Sequence, residues 1–132
     1  MSRILGAHVL LYSTNADADR AFVRDVLGFE SVDVGHGWLI FGMSPAELAV
    51  HPADGEREER RHAGHRMLGA HLYLMCDDLQ AFVKSLAAKN VSCTEIETEP
   101  WGIRTTMKLP SGGELGLYQP THPTALNFSL AR

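Results

Sequence analysis

The sequence contains an internal repeat, and this repeat constrains the fold more than any other feature. The stretch from Pro110 to Pro120 begins with a Gly-rich turn, continues through Glu-Leu and ends at a proline, and a shorter copy runs from Ser44 to Pro52. Two further pairs of segments match, residues 6–8 with 69–71 and residues 21–24 with 81–84. Self-similarity of this kind is typical of a duplicated structural unit. The chain is therefore predicted to have two similar halves, with its functional site between them.

Each half is predicted to contain one helix and four short strands. In the first half, Ala16 to Val26 has the apolar spacing of an amphipathic helix, and Gly28 is well placed to end it. In the second half, Asp77 is expected to cap a helix whose apolar residues recur at helical spacing from Leu79 to Ala87, with Asn90 at its end. The aliphatic and β-branched runs that predict strands are residues 4–13, 29–34, 38–41, 47–51, 68–76, 91–97, 103–109 and 114–118.

The order of these elements predicts an α+β domain built from two βαβββ modules. Each module has a sheet too small to be stable alone, so pairing the modules gives a curved sheet with helices outside and a cleft inside. The 132 residues are expected to form a single domain. Its parts are module 1 at about 1–52, a polar linker at 53–66, module 2 at about 67–120 and a tail at 121–132. In the tail, Leu126, Phe128 and Leu130 alternate and predict an additional strand or a dimer contact.

Charge and composition exclude several classes of partner. The net charge of −4 and a linker in which glutamates interleave with arginines give no basic surface for nucleic acid. The chain has no apolar run of the roughly 20 residues that a membrane span needs, and its first residues do not resemble a signal peptide. A cytoplasmic location is therefore expected. Cys76 and Cys93 are too few for a disulfide framework and are predicted to be buried, reduced thiols.

Two stretches resemble a known family. The helix-ending sequence from Phe22 to Phe29 and the closing stretch from Pro110 to Pro120 are similar to those of the vicinal oxygen chelate superfamily, which includes glyoxalase I, bleomycin-resistance proteins and extradiol dioxygenases. This resemblance covers nearly the whole chain. It implies an eight-stranded, incompletely closed barrel formed by the two βαβββ modules, with the helices outside. It also implies a homodimer.

The resemblance implies a metal site in some family members, and this chain matches only part of it. His8 and His71 match the ligand positions on the first strand of each module, but the positions on the last strands hold Ala49 and Gly116, which cannot bind a metal. No metal and no other cofactor is therefore expected. An alternative divalent-metal site would use His8, His71, Glu47 and Glu114, with the glutamates displaced by about 6.5 Å along their strands.

Strand alternation predicts which side chains face the cleft. Residues two apart share a face, so Glu47, Ala49 and His51 should point together, whereas Leu48 and Val50 should face the helices. The same argument places the aromatic residues of the second half in the cleft, and the small residues Ala49 and Gly116 are expected to leave room for a ligand. The predicted ligand-binding residues are His8, Tyr12, Glu47, His51, His71, Tyr73, Trp101, Glu114 and Tyr118.

Two classes of function remain open at this point. The first is a glyoxalase- or bleomycin-resistance-like protein that binds a small organic molecule, aromatic or cationic, in the cleft without the full metal site of the family. The second is an enzyme of the same superfamily: either a divalent-metal-dependent lyase, isomerase or dioxygenase, or a metal-free acid–base catalyst that uses a His–Glu pair. The sequence does not assign catalytic residues to either class.

Overall fold

The described part of the chain forms two helices and three small sheets, two of them antiparallel and one mixed. A computed structural model describes residues 7–52 and 60–126. The helices are α1 (Ala16–Asp25) and α2 (Leu79–Ala87). The strands are β1 (Ser31–Asp33), β2 (Leu39–Phe41), β3 (Arg60–His62), β4 (His65–Met67), β5 (Tyr73–Met75), β6 (Glu97–Glu99), β7 (Gly102–Lys108) and β8 (Glu114–Pro120).

The largest sheet belongs to the second half of the chain. It has four strands in the order β5-β8-β7-β6, in which β5 runs parallel to β8 and the other pairs are antiparallel. The remaining described strands form two hairpins, β1–β2 and β3–β4. These strands do not close into an eight-stranded barrel within the single chain. The predicted α+β class is therefore confirmed, since the described chain has two helices and several sheets, whereas the eight-stranded barrel is not shown.

The hydrophobic core lies between the helices and one face of the four-stranded sheet. Leu79 and Leu86 of α2 are almost fully buried against Leu115 and Leu117 of β8, and Phe22 of α1 joins the same cluster. Leu115 and Leu117 therefore face the helices, as strand alternation predicted. The opposite face of the sheet carries the alternate residues of β8, and it has no helix against it in the core cluster.

Both helices begin where a side chain caps the first turn. Asn15 accepts a hydrogen bond from the Ala18 amide at the start of α1. At the start of α2 the cap is Asp78, which accepts from the Ala81 amide, and not the predicted Asp77. The carboxamide oxygen of Gln119 accepts from the Leu79 amide at 3.0 Å and so joins α2 to strand β8. Asn90 has φ +61° beyond the end of α2, in the left-handed conformation expected where a helix terminates.

Several predicted strands of the first half are not formed. Residues 7–13 and 43–52 have no strand, although strands were predicted at 4–13 and 47–51; residues 4–6 lie outside the described part. Leu48 and Val50 were expected to face the helices, but they are 92% and 88% exposed. A strand requires a hydrogen-bonding partner along its edge, and the described residues of one chain provide none for these two segments.

Other boundaries also differ from the sequence prediction. The predicted linker contains the hairpin β3–β4 in its second part, and residues 53–59 lie outside the described residues. The predicted strand at 68–76 shortens to β5, and that at 91–97 is reduced to an isolated bridge between Cys93 and Met107 followed by β6. In the tail, Leu126 is in no strand, whereas Phe128 and Leu130 lie outside the described residues.

Both cysteines are free and half-buried. Burial is the main cause that raises the pKa of the Cys76 thiol to about 11, and the neighbouring Asp77 carboxylate adds to it. Burial also raises the pKa of Cys93. Both thiols therefore stay protonated near neutral pH and are poor nucleophiles or metal ligands. Within the part of the chain that the structure describes, neither helix has the length and apolar character needed to cross a membrane.

Candidate functional site

The open face of the four-stranded sheet is organised by the pairing of β5, β8 and β7. Tyr73 of β5 lies beside Gly116 of β8, and Tyr118 of β8 lies between Met75 of β5 and Arg104 of β7. Directly paired residues project to the same side of a sheet. The side chains of Tyr73, Met75, Tyr118 and Arg104 therefore stand together on the face opposite the helices.

Three half-buried aromatic rings form a continuous cluster on this face. The ring centroids of Tyr73 and Tyr118 are 5.7 Å apart, and Trp101 lies 6.0 Å from Tyr73 and 5.3 Å from Tyr118. The interplanar angles are between 76° and 89°, so each pair meets edge to face. We call Tyr73, Trp101 and Tyr118 the aromatic cluster. It supplies a rigid apolar surface with the phenolic hydroxyls and the indole N–H at its margins.

The close approach of Tyr73 to Gly116 depends on the missing side chain of the glycine. A Cβ atom built on Gly116 would lie 2.6 Å from Cε1 and 2.8 Å from Cγ of the Tyr73 ring. Gly116 was expected to leave room for a ligand, but that space is filled by the Tyr73 ring. Ala49, the other small residue, is exposed in the segment that forms no strand.

A carboxylate and an imidazole lie at one edge of the aromatic cluster. The Tyr118 hydroxyl is 3.3 Å from Nε2 of His122, whose ring stacks on the Tyr118 ring at an angle of 24°. Oε1 of Glu47 is 3.8 Å from the same Nε2, and Oε2 accepts a hydrogen bond of 2.8 Å from the Ala125 amide. Glu47 is thus held by the segment that follows β8, and its side chain is 20% exposed.

These contacts define what each group can donate and accept. Nδ1 of His122 lies 2.8 Å from the Pro123 carbonyl oxygen. Because a carbonyl oxygen can only accept, Nδ1 is the donor in this hydrogen bond. In the tautomer with its proton on Nδ1, Nε2 has a lone pair and can accept from the Tyr118 hydroxyl. Burial raises the pKa of Tyr118, and the Glu47 carboxylate raises it further. The Tyr118 hydroxyl therefore remains a hydrogen-bond donor at neutral pH, and Glu47 is an acceptor beside it.

The structure brings together only some of the predicted ligand-binding residues. Tyr73, Trp101 and Tyr118 form the aromatic cluster, and Glu47 reaches its edge through His122. Tyr12 lies elsewhere: it is 71% exposed and its hydroxyl is 2.6 Å from Nδ1 of His62, on strand β3.

The ring contacts that define the aromatic cluster do not include the remaining predicted residues. His8 and His71 are exposed. His51 is exposed, with Nδ1 placed 2.7 Å from the Pro52 carbonyl. Glu114 accepts a hydrogen bond from the Thr106 hydroxyl at the opposite end of β8.

The alternative metal set is not assembled within one chain. Glu47 contacts His122 and Ala125, whereas Glu114 contacts Thr106. Among the residues 7–52 and 60–126, no group of three or more His, Cys, Asp or Glu side chains is arranged to hold a metal ion. The described residues therefore do not fit the metal that some members of the resembling family use.

His122 is a residue of this site that the sequence prediction missed. It follows Tyr118 by four positions, so it continues the alternation of Glu114, Gly116 and Tyr118 toward the open face. This even spacing along the strand was the sequence signal that could have identified His122. The strand was predicted to end at Tyr118, whereas β8 continues to Pro120 and carries the chain to His122 on the same side.

A concavity has a lining that does not include the aromatic cluster. Its volume is about 480 Å³, and it lies beside the end of α2. Its lining residues are Val83, Ala87, Asn90, Val91, Ser92 and Cys93. Its lining residues include no charged or aromatic side chain. It is the alternative location for a ligand that does not bind at the aromatic cluster.

Comparison with known proteins identifies relatives over most of the chain. A family model described as the Glyoxalase/Bleomycin resistance protein/Dioxygenase superfamily matches residues 7–117. The chain is 32% identical over 124 residues to an Escherichia coli (strain K12) protein named Uncharacterized protein YaeR, with 85% of this chain and 93% of that protein covered.

Solved structures show the same fold at lower identity. TnmS3, an antibiotic binding protein from Streptomyces sp. CB03234, is 20% identical with a TM-score of 0.56, and the match covers 90% of this chain and 100% of that one. Lactoylglutathione lyase from Agrobacterium tumefaciens is 21% identical with a TM-score of 0.59 and coverage of 89% and 96%. At these identities the likeness concerns the fold alone.

Proposed function

Because the chain belongs to the glyoxalase/bleomycin resistance protein/dioxygenase superfamily, we propose that it binds a small organic molecule on the open face of its four-stranded sheet. The aromatic cluster is the observation that carries this proposal. Three half-buried rings that pack edge to face are held by strand pairing and by Gly116, so the surface is formed before a ligand arrives. Aromatic side chains with a few polar groups at their margin are typical of the residues that line small-molecule sites.

The polar margin of the cluster gives the ligand an orientation. A ligand that contacts the aromatic cluster would have the Tyr118 hydroxyl and the Glu47 carboxylate beside it. Stacking provides affinity, and these groups provide specificity because a buried polar group left without a partner costs free energy. The antibiotic-binding relative from Streptomyces has the same fold, which is compatible with a binding role for this chain.

We further propose that binding needs no metal ion. The positions that correspond to the carboxylate ligands of the family hold Ala49 and Gly116, and Tyr73 occupies the space above Gly116. The alternative ligands are dispersed within the described chain. Elemental analysis of purified protein checks this: stoichiometric metal that is lost in a His8→Ala, His71→Ala double variant would instead support the metal-dependent lyase, isomerase or dioxygenase.

The binding proposal is tested by nuclear magnetic resonance with a neutral aromatic probe. We expect 4-tert-butylphenol to shift the backbone amide signals of β5 and β8 and the indole N–H signal of Trp101. Tyr118→Ala should weaken binding by about tenfold, since stacking and burial of one aromatic ring contribute roughly 1–2 kcal/mol. Tyr12→Ala is the matched control because Tyr12 lies outside the aromatic cluster, and it should leave the affinity unchanged.

Two results would contradict the proposal. In the first, the shifted signals would come from Val83, Ala87 and Val91, which line the concavity beside α2. In the second, the Tyr12 and Tyr118 variants would lose equal affinity, and the aromatic cluster would then have no special role.

We also propose that the protein is a homodimer in which a second copy covers the exposed apolar residues of the first half and of the segment before β5. Leu48, Val50 and Leu68 are more than four-fifths exposed, and Leu10 and Leu11 are about half exposed. Residues 7–13 and 43–52 have no strand partner within the described chain, and β5 lies at an edge of its sheet. Pairing with a second copy would give both segments a partner and would complete the predicted barrel.

A further inference from the structure

The charges around the aromatic cluster indicate the chemical class of the ligand. On the open face, Arg104 pairs across the strands with Tyr118 on one side and with Glu97 on the other. Its guanidinium lies 3.6 Å from Glu97 and 3.6 Å from Glu99. Arg104, the described cationic residue that pairs directly with Tyr118 in the sheet, is therefore already neutralised by two carboxylates.

Glu47 adds a third carboxylate at the other edge of the cluster. Its contacts are the Ala125 amide and the His122 imidazole. Among the described residues named here, the three carboxylates and the one guanidinium sum to a formal charge of −2. Aromatic faces attract cations, and a partly buried carboxylate strengthens that attraction because it is less screened than a fully exposed one.

We infer that the ligand of the aromatic cluster is a cation, with an aromatic or alkyl body that contacts Tyr73, Trp101 and Tyr118 and a positive group that faces Glu47. This inference rests on the proposed function and adds the charge of the ligand to it. An anionic ligand would meet the carboxylates of Glu47, Glu97 and Glu99, and the described cation beside Tyr118, Arg104, is already paired with two of them. A neutral ligand would use the rings but would leave the carboxylates without a role in recognition.

The test compares two probes of the same shape. The cation is 4-(trimethylammonio)phenol, and the neutral isostere is 4-tert-butylphenol, in which a carbon replaces the charged nitrogen. Affinities are measured by calorimetry at low and at high salt, and the site is checked by the Trp101 indole signal. We expect the cation to bind about tenfold more tightly at low salt, with a smaller preference at high salt.

Glu47→Gln isolates the carboxylate. The glutamine keeps an oxygen that can accept from the Ala125 amide, so the segment after β8 retains its contact. We expect this variant to lose threefold to tenfold in affinity for the cation, by the order of magnitude of one partly screened charge pair, and to bind the neutral probe unchanged. Glu30→Gln removes the same charge from an exposed position before β1 and should change neither affinity.

The outcomes separate this inference from the function on which it depends. If the neutral probe binds as tightly as the cation, or if Glu47→Gln weakens both equally, the inference of a cationic ligand is wrong and the binding function stands. If neither probe perturbs the aromatic cluster, the binding function itself fails. Should Glu47→Gln not fold, the salt dependence of the wild-type protein decides, and a preference for the cation that does not fall at high salt would overturn the inference.

Discussion

Tyr73 and Gly116 are the residues on which the candidate site most depends. They are partners in the parallel pair of β5 and β8, and the ring of one lies over the bare backbone of the other. From there Tyr73 reaches both Trp101 and Tyr118. A side chain at position 116 would displace Tyr73 from the other two rings. The glycine is therefore part of the proposed binding surface, although it offers no group to a ligand.

Gly116→Ala should accordingly reduce both stability and binding. The added methyl group would overlap the Tyr73 ring, and an overpacked site of this kind costs about 1–3 kcal/mol of the free energy of unfolding. Chemical denaturation measures the cost, and titration with 4-tert-butylphenol measures the loss of affinity. Gly113→Ala is the matched control on the same hairpin, because its Cβ would only reach the Ser111 Oγ at 3.4 Å.

A double-mutant cycle tests the cause. In a Tyr73→Ala background the ring is gone, so Gly116→Ala should become nearly neutral, and the two substitutions should be strongly non-additive. Equal costs of Gly116→Ala with and without the Tyr73 ring would show that the ring is not what the glycine accommodates.

For single residues, the sequence predicted which face of β8 a side chain occupies better than it predicted which residues that side chain contacts. Alternation along β8 correctly separated Leu115 and Leu117, which are buried, from Tyr118 on the other face. It could not show that the Tyr73 ring fills the space over Gly116, because that contact joins residues 43 positions apart through strand register. His122 was missed for a similar reason, since its partner Glu47 comes from the first half of the chain.

The helices show how far local signals determine an element. Their positions were predicted almost to the residue, because capping and apolar spacing are local properties. The cap of α2 was misplaced by one residue. An N-cap oxygen accepts from an amide two or three positions later, and Asp78 is three positions before Ala81. Asp77 is four positions before it and is exposed.

Two adjacent aspartates therefore provide a matched test of the cap. Asp78→Ala should lower the free energy of unfolding by about 1 kcal/mol, within the usual range for the loss of an N-cap. Asp77→Ala should have a much smaller effect on the same denaturation curve. Leu79 follows the cap and is fully buried in the core, so the loss should be visible in global unfolding. The reverse order of effects would show that α2 begins one residue earlier than the structure indicates.

The strand predictions were most accurate where the partner strand is close in sequence. β7 and β8 pair as a hairpin across the turn at residues 109–113, and both were predicted close to their observed bounds. Residues 7–13 and 47–51 have the composition of strands but no partner among the described residues. Composition gives the tendency of a segment to form a strand, whereas the partner depends on the rest of the molecule.

For the molecule as a whole, one chain leaves a large apolar surface on its first half. Large exposed apolar patches on a protein commonly mark an interaction surface, and the proposed occupant is a second copy. Leu48 is the most exposed of the large apolar residues in this region, at 92%. A charge placed there costs little in a single chain but opposes burial in a dimer. Leu48→Asp therefore separates the association of two chains from the folding of one.

We expect Leu48→Asp to weaken dimerisation by at least about tenfold, since burying one leucine contributes roughly 1.5–3 kcal/mol and a buried unpaired carboxylate adds a penalty. Sedimentation equilibrium over a range of concentrations measures the dissociation constant. Ser92→Asp adds the same charge at an exposed position in the second half and should not change it. Because Leu48 has almost no contacts within one chain, the helical signal of the variant at high dilution should match that of the unaltered protein. A wild-type chain that stays monomeric at every concentration would contradict the dimer, and residues 7–13 and 43–52 would then lack the partner strands that we propose for them.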